Sequence, residues 1–361
     1  MKKTLIAASV AGAFLSTSAM AANVEMYGLI NTGLSYSHSD TDQGTKTDKF
    51  SMENGQEFGS RWGLRGSEDL GNGLKLGFVL ESGIESDTGN LDTKQGGRLF
   101  GREAQLTLSG SFGALSFGRM PIFGSVLGAN GLFRAIKPLF ANYTTGFSTS
   151  NATASVWTRV DNAISYKTPT FAGFTGYAMY SFQNDSVAGT KAGSTEGKSS
   201  ADRYASVALR YLNNRFEAVF VADTTNWGSL ETHKGYNDGE NVDNGYTYTL
   251  GGNYTFDCGL KVIAFGQYFE NQFINVNARG GVAAAGINKF TTEGAGDTAT
   301  TVGYGFVDGW GASVGVHYPV LGGTAKLAAN YRDMSNTKGY DFERWTVEAA
   351  YDYALSKRTA L

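Results

Sequence analysis

Residues of unlike polarity alternate with a period of two in fourteen separate stretches of this chain, and few folds accept that pattern. Between Gly309 and Pro319, Trp310, Ala312, Val314, Val316 and Tyr318 alternate with Gly311, Ser313, Gly315 and His317. Between Thr324 and Asp333, Ala325, Leu327, Ala329 and Tyr331 alternate with Lys326, Ala328, Asn330 and Arg332. In 24–36 one face reads Val, Met, Gly, Ile, Thr, Leu, Tyr, while Glu25, Asn31 and Ser35 lie on the other. Such stretches are strands with two unlike faces. Buried between two sheets, the polar faces would cost too much; against a water-filled lumen they are free.

The segments fall at about 24–37, 60–69, 74–84, 100–110, 114–120, 159–168, 173–182, 203–212, 215–223, 245–254, 260–270, 309–319, 324–333 and 344–353. Most approach the ~9–11 residues that a tilted strand needs to cross a bilayer. Their connections alternate in length. Leu70–Gly73, Pro169–Ala172, Asn213-Asn214, Thr255–Gly259 and Ala354–Lys357 are short, whereas 38–59, 121–158, 183–202, 224–244 and 271–308 are long. Short turns on one side and long loops on the other distinguish an outer-membrane barrel from a soluble sandwich. Aromatic residues crowd beside the short turns, as Tyr166, Phe171 and Phe174, Tyr211 and Phe216, Tyr254 and Phe256, and Tyr351 and Tyr353. Rings at one end of successive strands make an interfacial girdle. The fold expected is all-β, a transmembrane antiparallel β-barrel.

The amino terminus agrees with export. Met1-Lys2-Lys3 is followed by an apolar run from Leu5 to Leu15 and by Ala19-Met20-Ala21, the layout of a cleaved signal peptide over residues 1–21. No later segment offers 18 consecutive apolar residues, so a helical span is not expected. Removing Lys2 and Lys3 takes the formal charge from −3 to −5. Residues 22–361 then form the barrel. With one cysteine, Cys258, no disulfide can form within the chain.

One stretch departs from the rest in charge. From Ala104 to Val160 there is no Asp or Glu, yet Arg119, Arg134, Lys137 and Arg159 are present. Inside it lies the connection 121–158, which carries Leu127, Leu132, Phe133, Ile136, Leu139, Phe140, Tyr143, Phe147 and Trp157. A loop that apolar finds a surface to cover. The expectation is that it folds into the lumen, narrows the pore and sets its charge.

Ser60-Arg61-Trp62-Gly63-Leu64-Arg65-Gly66-Ser67-Glu68-Asp69-Leu70-Gly71 resembles the signature of Gram-negative general diffusion porins, in the branch common among beta-proteobacteria. Leu80-Glu81-Ser82-Gly83, Leu99-Phe100-Gly101-Arg102, Gly110-Ser111-Phe112-Gly113, Phe117-Gly118-Arg119, Asp161-Asn162-Ala163-Ile164-Ser165-Tyr166 and Tyr353-Ala354-Leu355-Ser356-Lys357-Arg358-Thr359 extend the resemblance along the chain. It implies a sixteen-stranded, homotrimeric, water-filled pore in the outer membrane, with the third long loop folded inside. It further implies insertion by the barrel assembly machinery, contact with outer-membrane lipid, and a cluster of constriction arginines that falls on Arg61, Arg102 and Arg159. Such porins end in two further strands and a terminal aromatic residue. This sequence stops at Arg358-Thr359-Ala360-Leu361, where a fifteenth strand should begin, and is read as incomplete at its C-terminal end.

Alternation supports part of that cluster. Arg61 and Arg65 share a face opposite Trp62 and Leu64, and a charge facing lipid at mid-depth costs ~2–4 kcal/mol. Arg159 shares its face with Asp161, Ser165 and Lys167. Arg102 falls in step with Ala104 and Leu106, so that only a bulge or the family match turns it inward. Arg65, Arg119, Arg134 and Lys137 are secondary candidates, the two on the loop equally placed to face bulk water. Glu81 and Asp161 are the lumen carboxylates that would oppose them. A charge ~8 Å from a permeating ion is worth ~0.5 kcal/mol in water-like dielectric, less with salt, so three arginines give between ~0.5 and ~1.5 kcal/mol.

That magnitude suits passive diffusion of small hydrophilic solutes and ions with a mild anion preference. A channel specific for sugars or organic acids would need an aromatic track, for which Phe133, Phe140, Tyr143 and Trp157 are the candidates. A barrel lipid hydrolase is the remote alternative, for no nucleophile motif stands out. His38, His233 and His317 have no Cys or His at ligand spacing. No catalytic residue, metal or cofactor is expected, and no nucleic-acid partner.

Overall fold

The structure, a computed structural model, describes residues 23–40, 46–92, 97–139, 152–154, 158–186, 195–228, 243–274, 290–291, 301–302, 305–336 and 341–361. The chain opens with β1 (Asn23–Leu29), β2 (Thr32–Asp40), β3 (Lys46–Asn54), β4 (Arg61–Gly71), β5 (Leu74–Gly83), β6 (Glu103–Gly110) and β7 (Gly113–Pro121). After the long connection follow β8 (Arg159–Lys167), β9 (Phe174–Ser181), β10 (Arg203–Leu212), β11 (Phe216–Asn226), β12 (Gly245–Thr255) and β13 (Lys261–Ile274). The short β14 (Phe290–Thr291) and β15 (Thr301–Val302) precede β16 (Gly305–Val320), β17 (Gly323–Asn336), β18 (Asp341–Ser356) and β19 (Thr359–Ala360). Fifteen of these strands make one sheet in the order β1-β4-β5-β6-β7-β8-β9-β10-β11-β12-β13-β16-β17-β18-β19. Each successive pair is antiparallel, for instance β11 with β12 through Val221↔Thr249 and β16 with β17 through Ser313↔Asn330. The two ends of the order, β1 and β19, do not pair with each other, so the barrel wall is not closed.

Each of the fourteen segments expected from alternation supplies a strand to this sheet, and the fifteenth strand begins where the sequence places it, with Ala354↔Ala360. The reason is visible along β12. Tyr246, Tyr248 and Leu250 are exposed on the outer face, while Thr247 and Thr249 are buried on the inner one. Outer rows on other strands repeat it, with Val207 and Leu209, Phe220, Val314, Leu327 and Val347 exposed. Lipid on one side and polar neighbours on the other impose the period of two.

Strands β11, β13, β16, β17 and β18 run three or four residues further than expected, and three other departures matter more. The segment 24–37 is broken after Leu29. There Asn31 leaves the ladder: its amide N–H donates to Ser60 Oγ (2.9 Å), its carbonyl accepts from Gly55 N–H (2.8 Å), and its side chain accepts from Gln56 N–H (2.8 Å). The connection 38–59 is therefore not an open loop. Residues after the break form the hairpin β2–β3, with Leu34↔Met52 and Tyr36↔Phe50, as a two-stranded sheet of its own. Finally, the strand expected from residue 100 begins at Glu103, and Arg102 precedes it. The expected leader, residues 1–21, lies outside the described residues.

Candidate functional site

The connection from Ile122 to Thr158 covers inward side chains of the wall. Ile122, Phe123, Leu132, Phe133 and Ile136 are buried in one cluster with Tyr177 and Met179 of β9, Tyr204 and Ala208 of β10, Val219 and Val221 of β11, and Phe265 of β13. Phe123 lies 5.4 Å from Tyr177 and Phe133 lies 5.8 Å from Phe265, centroid to centroid. Burying each such side chain contributes ~1.5–3 kcal/mol, which answers why so apolar a connection does not stay in water. Polar side chains from the far wall then cap its backbone. Asn253 Nδ2 donates to the Ala135 carbonyl (2.6 Å), His317 Nε2 to that of Pro138 (2.5 Å), and Arg332 Nη1 to that of Thr153 (3.0 Å). Gln267 Oε1 accepts from Ala154 N–H (2.8 Å). The connection thus starts at β7, touches β12, β13, β16 and β17, and returns to β8. Gly128 marks its closest approach to β6. It has φ +56°, and a Cβ there would lie 1.7 Å from Glu103 Oε1.

Beside the root of this loop stands the first charge cluster. Arg102 Nε donates to Glu81 Oε1 (2.7 Å), and its backbone N–H donates to the Glu81 carbonyl (3.1 Å). Arg61 Nε lies 3.6 Å from Glu81 Oε2, which also accepts from the Tyr27 hydroxyl (2.9 Å). Arg159 Nε donates to the Arg102 carbonyl (2.7 Å). Gln105 Nε2 donates to Glu103 Oε2 (3.1 Å), in the same cluster. Arg61, Arg102 and Arg159 are therefore brought together. Because Arg102 precedes β6, the alternation that aimed it at lipid does not apply to it. Its side chain is 3% exposed, against 20% for Arg61. A guanidinium that deep is tolerable only with a partner, and Glu81 is that partner.

A second cluster adjoins the first. Here β7 and β8 carry a bulge: pairing runs from Gly118↔Ala163 to Met120↔Val160, so that Asp161 and Asn162 face Arg119 alone. Gly118 makes it possible, with φ +123° and a would-be Cβ 2.1 Å from the Ala104 carbonyl oxygen. Bulges re-aim side chains. In this one Arg119 Nη1 donates to Asp161 Oδ1 (2.5 Å), and Arg119 Nε donates to the Gly101 carbonyl (2.7 Å). Arg98, from the connection between β5 and β6, donates to Asp161 Oδ2 (2.6 Å) and Asp185 Oδ1 (2.7 Å).

The remaining candidates separate. Arg65 is on the inner face but further along the wall, exposed, paired with Glu25 (2.9 Å) and lying over the Tyr27 ring. Arg134 is exposed on the loop, its Nη2 donating to the Val126 carbonyl (3.3 Å). Lys137 does not face bulk water: it is buried beside Glu348 of β18. Phe133 is committed to packing on Phe265 and offers no aromatic track; Phe140, Tyr143 and Trp157 lie outside the described residues. Sequence reasoning missed Tyr27, Arg98, Glu103 and Asp185. Glu103 was within reach, since it lies in step with Gln105 on the inner face of β6.

A model of the Gram-negative porin family matches residues 7–361. The chain is a Gram-negative porin. It is 33% identical to an outer membrane porin protein of Bordetella pertussis, across 100% of this chain and 92% of that protein. It is 30% identical to outer membrane porin protein 32 of Delftia acidovorans, across 100% of this chain and 88% of that one. Among solved structures, an anion-selective porin from Comamonas acidovorans shares the fold, with a TM-score of 0.62, 24% identity, and coverage of 94% of this chain and 86% of that one. This porin is accordingly an outer-membrane β-barrel that forms a water-filled channel for passive diffusion of small hydrophilic solutes and ions.

Proposed function

We propose that the porin conducts with a mild preference for anions, set where the connection 121–158 and the wall carrying Arg61, Arg102 and Arg159 narrow the lumen, and that no catalytic step is involved. We extend the proposal to a homotrimer whose residues 1–21 are removed on export and whose insertion uses the barrel assembly machinery. One observation carries the preference: the two adjoining clusters bring together five guanidinium groups (Arg61, Arg98, Arg102, Arg119, Arg159) and four carboxylates (Glu81, Glu103, Asp161, Asp185). An excess of one positive charge at ~8 Å favours chloride by ~0.5 kcal/mol and disfavours potassium by as much in water-like dielectric, and physiological salt screens the ~1 kcal/mol between them to about two-fold. The name of the Comamonas acidovorans relative supports the same sign. A purified porin in a planar bilayer under a KCl gradient is expected to show a zero-current potential of the chloride-favouring sign. The potassium-favouring sign would mean that the carboxylates prevail.

Lys137 gives this preference a pH dependence. Burial pushes its ammonium down to about 8, against the opposing pull of Glu348. A cation with that pKa is charged below about pH 8 and neutral above it. The anion preference should therefore decline from about pH 7 to about pH 9 in the natural protein and decline less in Lys137→Met. An equal decline in both would remove Lys137 from the selectivity machinery.

A further inference from the structure

We propose that Asp161 is a specificity-determining residue of the pore, acting by masking Arg98 and Arg119. The proposal rests on the reading of the chain as an ion-conducting porin. It does not depend on the sign of the natural preference.

Asp161 uses both carboxylate oxygens. Oδ1 takes Arg119 Nη1 at 2.5 Å, and Oδ2 takes Arg98 Nη2 at 2.6 Å together with Ser186 N–H (2.8 Å) and Ser186 Oγ (2.7 Å). Asp185 adds a second carboxylate to Arg98 at 2.7 Å. The four charged side chains are only 7–14% exposed, so salt screens the pairs less than it would on an open surface. Two guanidinium groups and two carboxylates within hydrogen-bond distance of one another present almost no net field to an ion several ångströms away. The node stands beside the constriction wall, since Arg119 also holds the Gly101 carbonyl, one residue before Arg102. Three separate pieces of chain supply it: the connection between β5 and β6, the β7–β8 bulge, and the connection after β9. One carboxylate thus gathers an arginine from a connection and an arginine from a strand at the lumen wall. Of the five arginines there, two are silenced, and the silencing keeps the preference mild.

Asp161→Asn deletes the shared negative charge and keeps the size of the side chain. It is expected to raise the chloride-to-potassium permeability ratio about two-fold over the natural porin, the effect of one uncovered charge at ~8 Å. Asp161→Asn with Arg119→Gln restores the charge balance and should return the ratio to the natural value. A merely structural role would not give that rescue, because the double variant has lost more contacts than the single one. Where Asp161→Asn fails to assemble, Arg98→Gln serves: it leaves Asp161 and Asp185 in excess and should lower the ratio about two-fold. An unchanged ratio in the single variants, or a double variant that stays where Asp161→Asn stands, would overturn the masking. A natural porin that prefers potassium would instead count against the anion preference and leave these shifts intact.

Discussion

Replacing Arg61, Arg102 and Arg159 together by Ser is expected to reverse the zero-current potential, so that potassium outruns chloride. The three side chains sit with Glu81 and Glu103, and removing them turns a local excess of one positive charge into an excess of two negative ones. At ~0.5 kcal/mol for each charge at ~8 Å, less with screening, the shift lies between ~0.5 and ~1.5 kcal/mol, a several-fold change in permeability ratio. Arg61→Ser alone should carry the largest single share, since Arg61 keeps 20% of its side chain exposed while Arg102 keeps 3%. Removing a buried partner also destabilises, by ~3–5 kcal/mol, because Glu81 is left uncompensated. The triple variant is therefore best compared with one that also carries Glu81→Gln. Reversal potentials under a KCl gradient provide the measurement, and a preference that does not move in any of these variants would end the assignment.

The fold was legible because lipid and water act on every strand in the same way. Tyr246, Tyr248 and Leu250 against Thr247 and Thr249 show the rule at work, and each of the fourteen segments found by it supplies a strand to the sheet. It failed where a local polar group overruled the ladder. Asn31 spends its hydrogen bonds on Gly55, Gln56 and Ser60, and so ends β1 in the middle of an unbroken alternation. Periodicity could not register that break, since Leu34 and Tyr36 continue the same pattern into the hairpin β2–β3.

The site was legible only as far as faces were. Arg61, Arg65 and Asp161 follow from alternation, while Arg102 needed the family's motif because it precedes its strand. The second cluster was beyond reach for two reasons. Arg98 lies in a connection, where no period assigns a direction, and the extra residue in β8 opposite Arg119 leaves no mark on the pattern. The seating of the long connection was hidden as well. Its apolarity announced a partner surface, but Asn253 and His317 lie 118 and 179 residues from the carbonyls they cap, and no local signal joins them.

That seating makes the second large effect testable. Phe133→Asp with Ile136→Asp should unseat the connection and raise single-channel conductance, with stronger fluctuation of the open current. Phe133 is 6% exposed and Ile136 is fully buried, both against β9–β13. Truncating a buried Phe to Ala costs ~3–5 kcal/mol, and a carboxylate in the same place costs more because it has no partner there. The four hydrogen bonds to Asn253, Gln267, His317 and Arg332 contribute ~0.5–1.5 kcal/mol each, too little to hold two unpaired charges in an apolar cluster. The sheet should survive, because its strands pair with one another and not through the connection. Phe133→Leu, which keeps an apolar side chain in the cluster, should leave conductance near the natural value. A carboxylate variant that assembles and conducts as before would mean that this stretch does not narrow the lumen, and the seat of selectivity would then have to be sought on the wall alone.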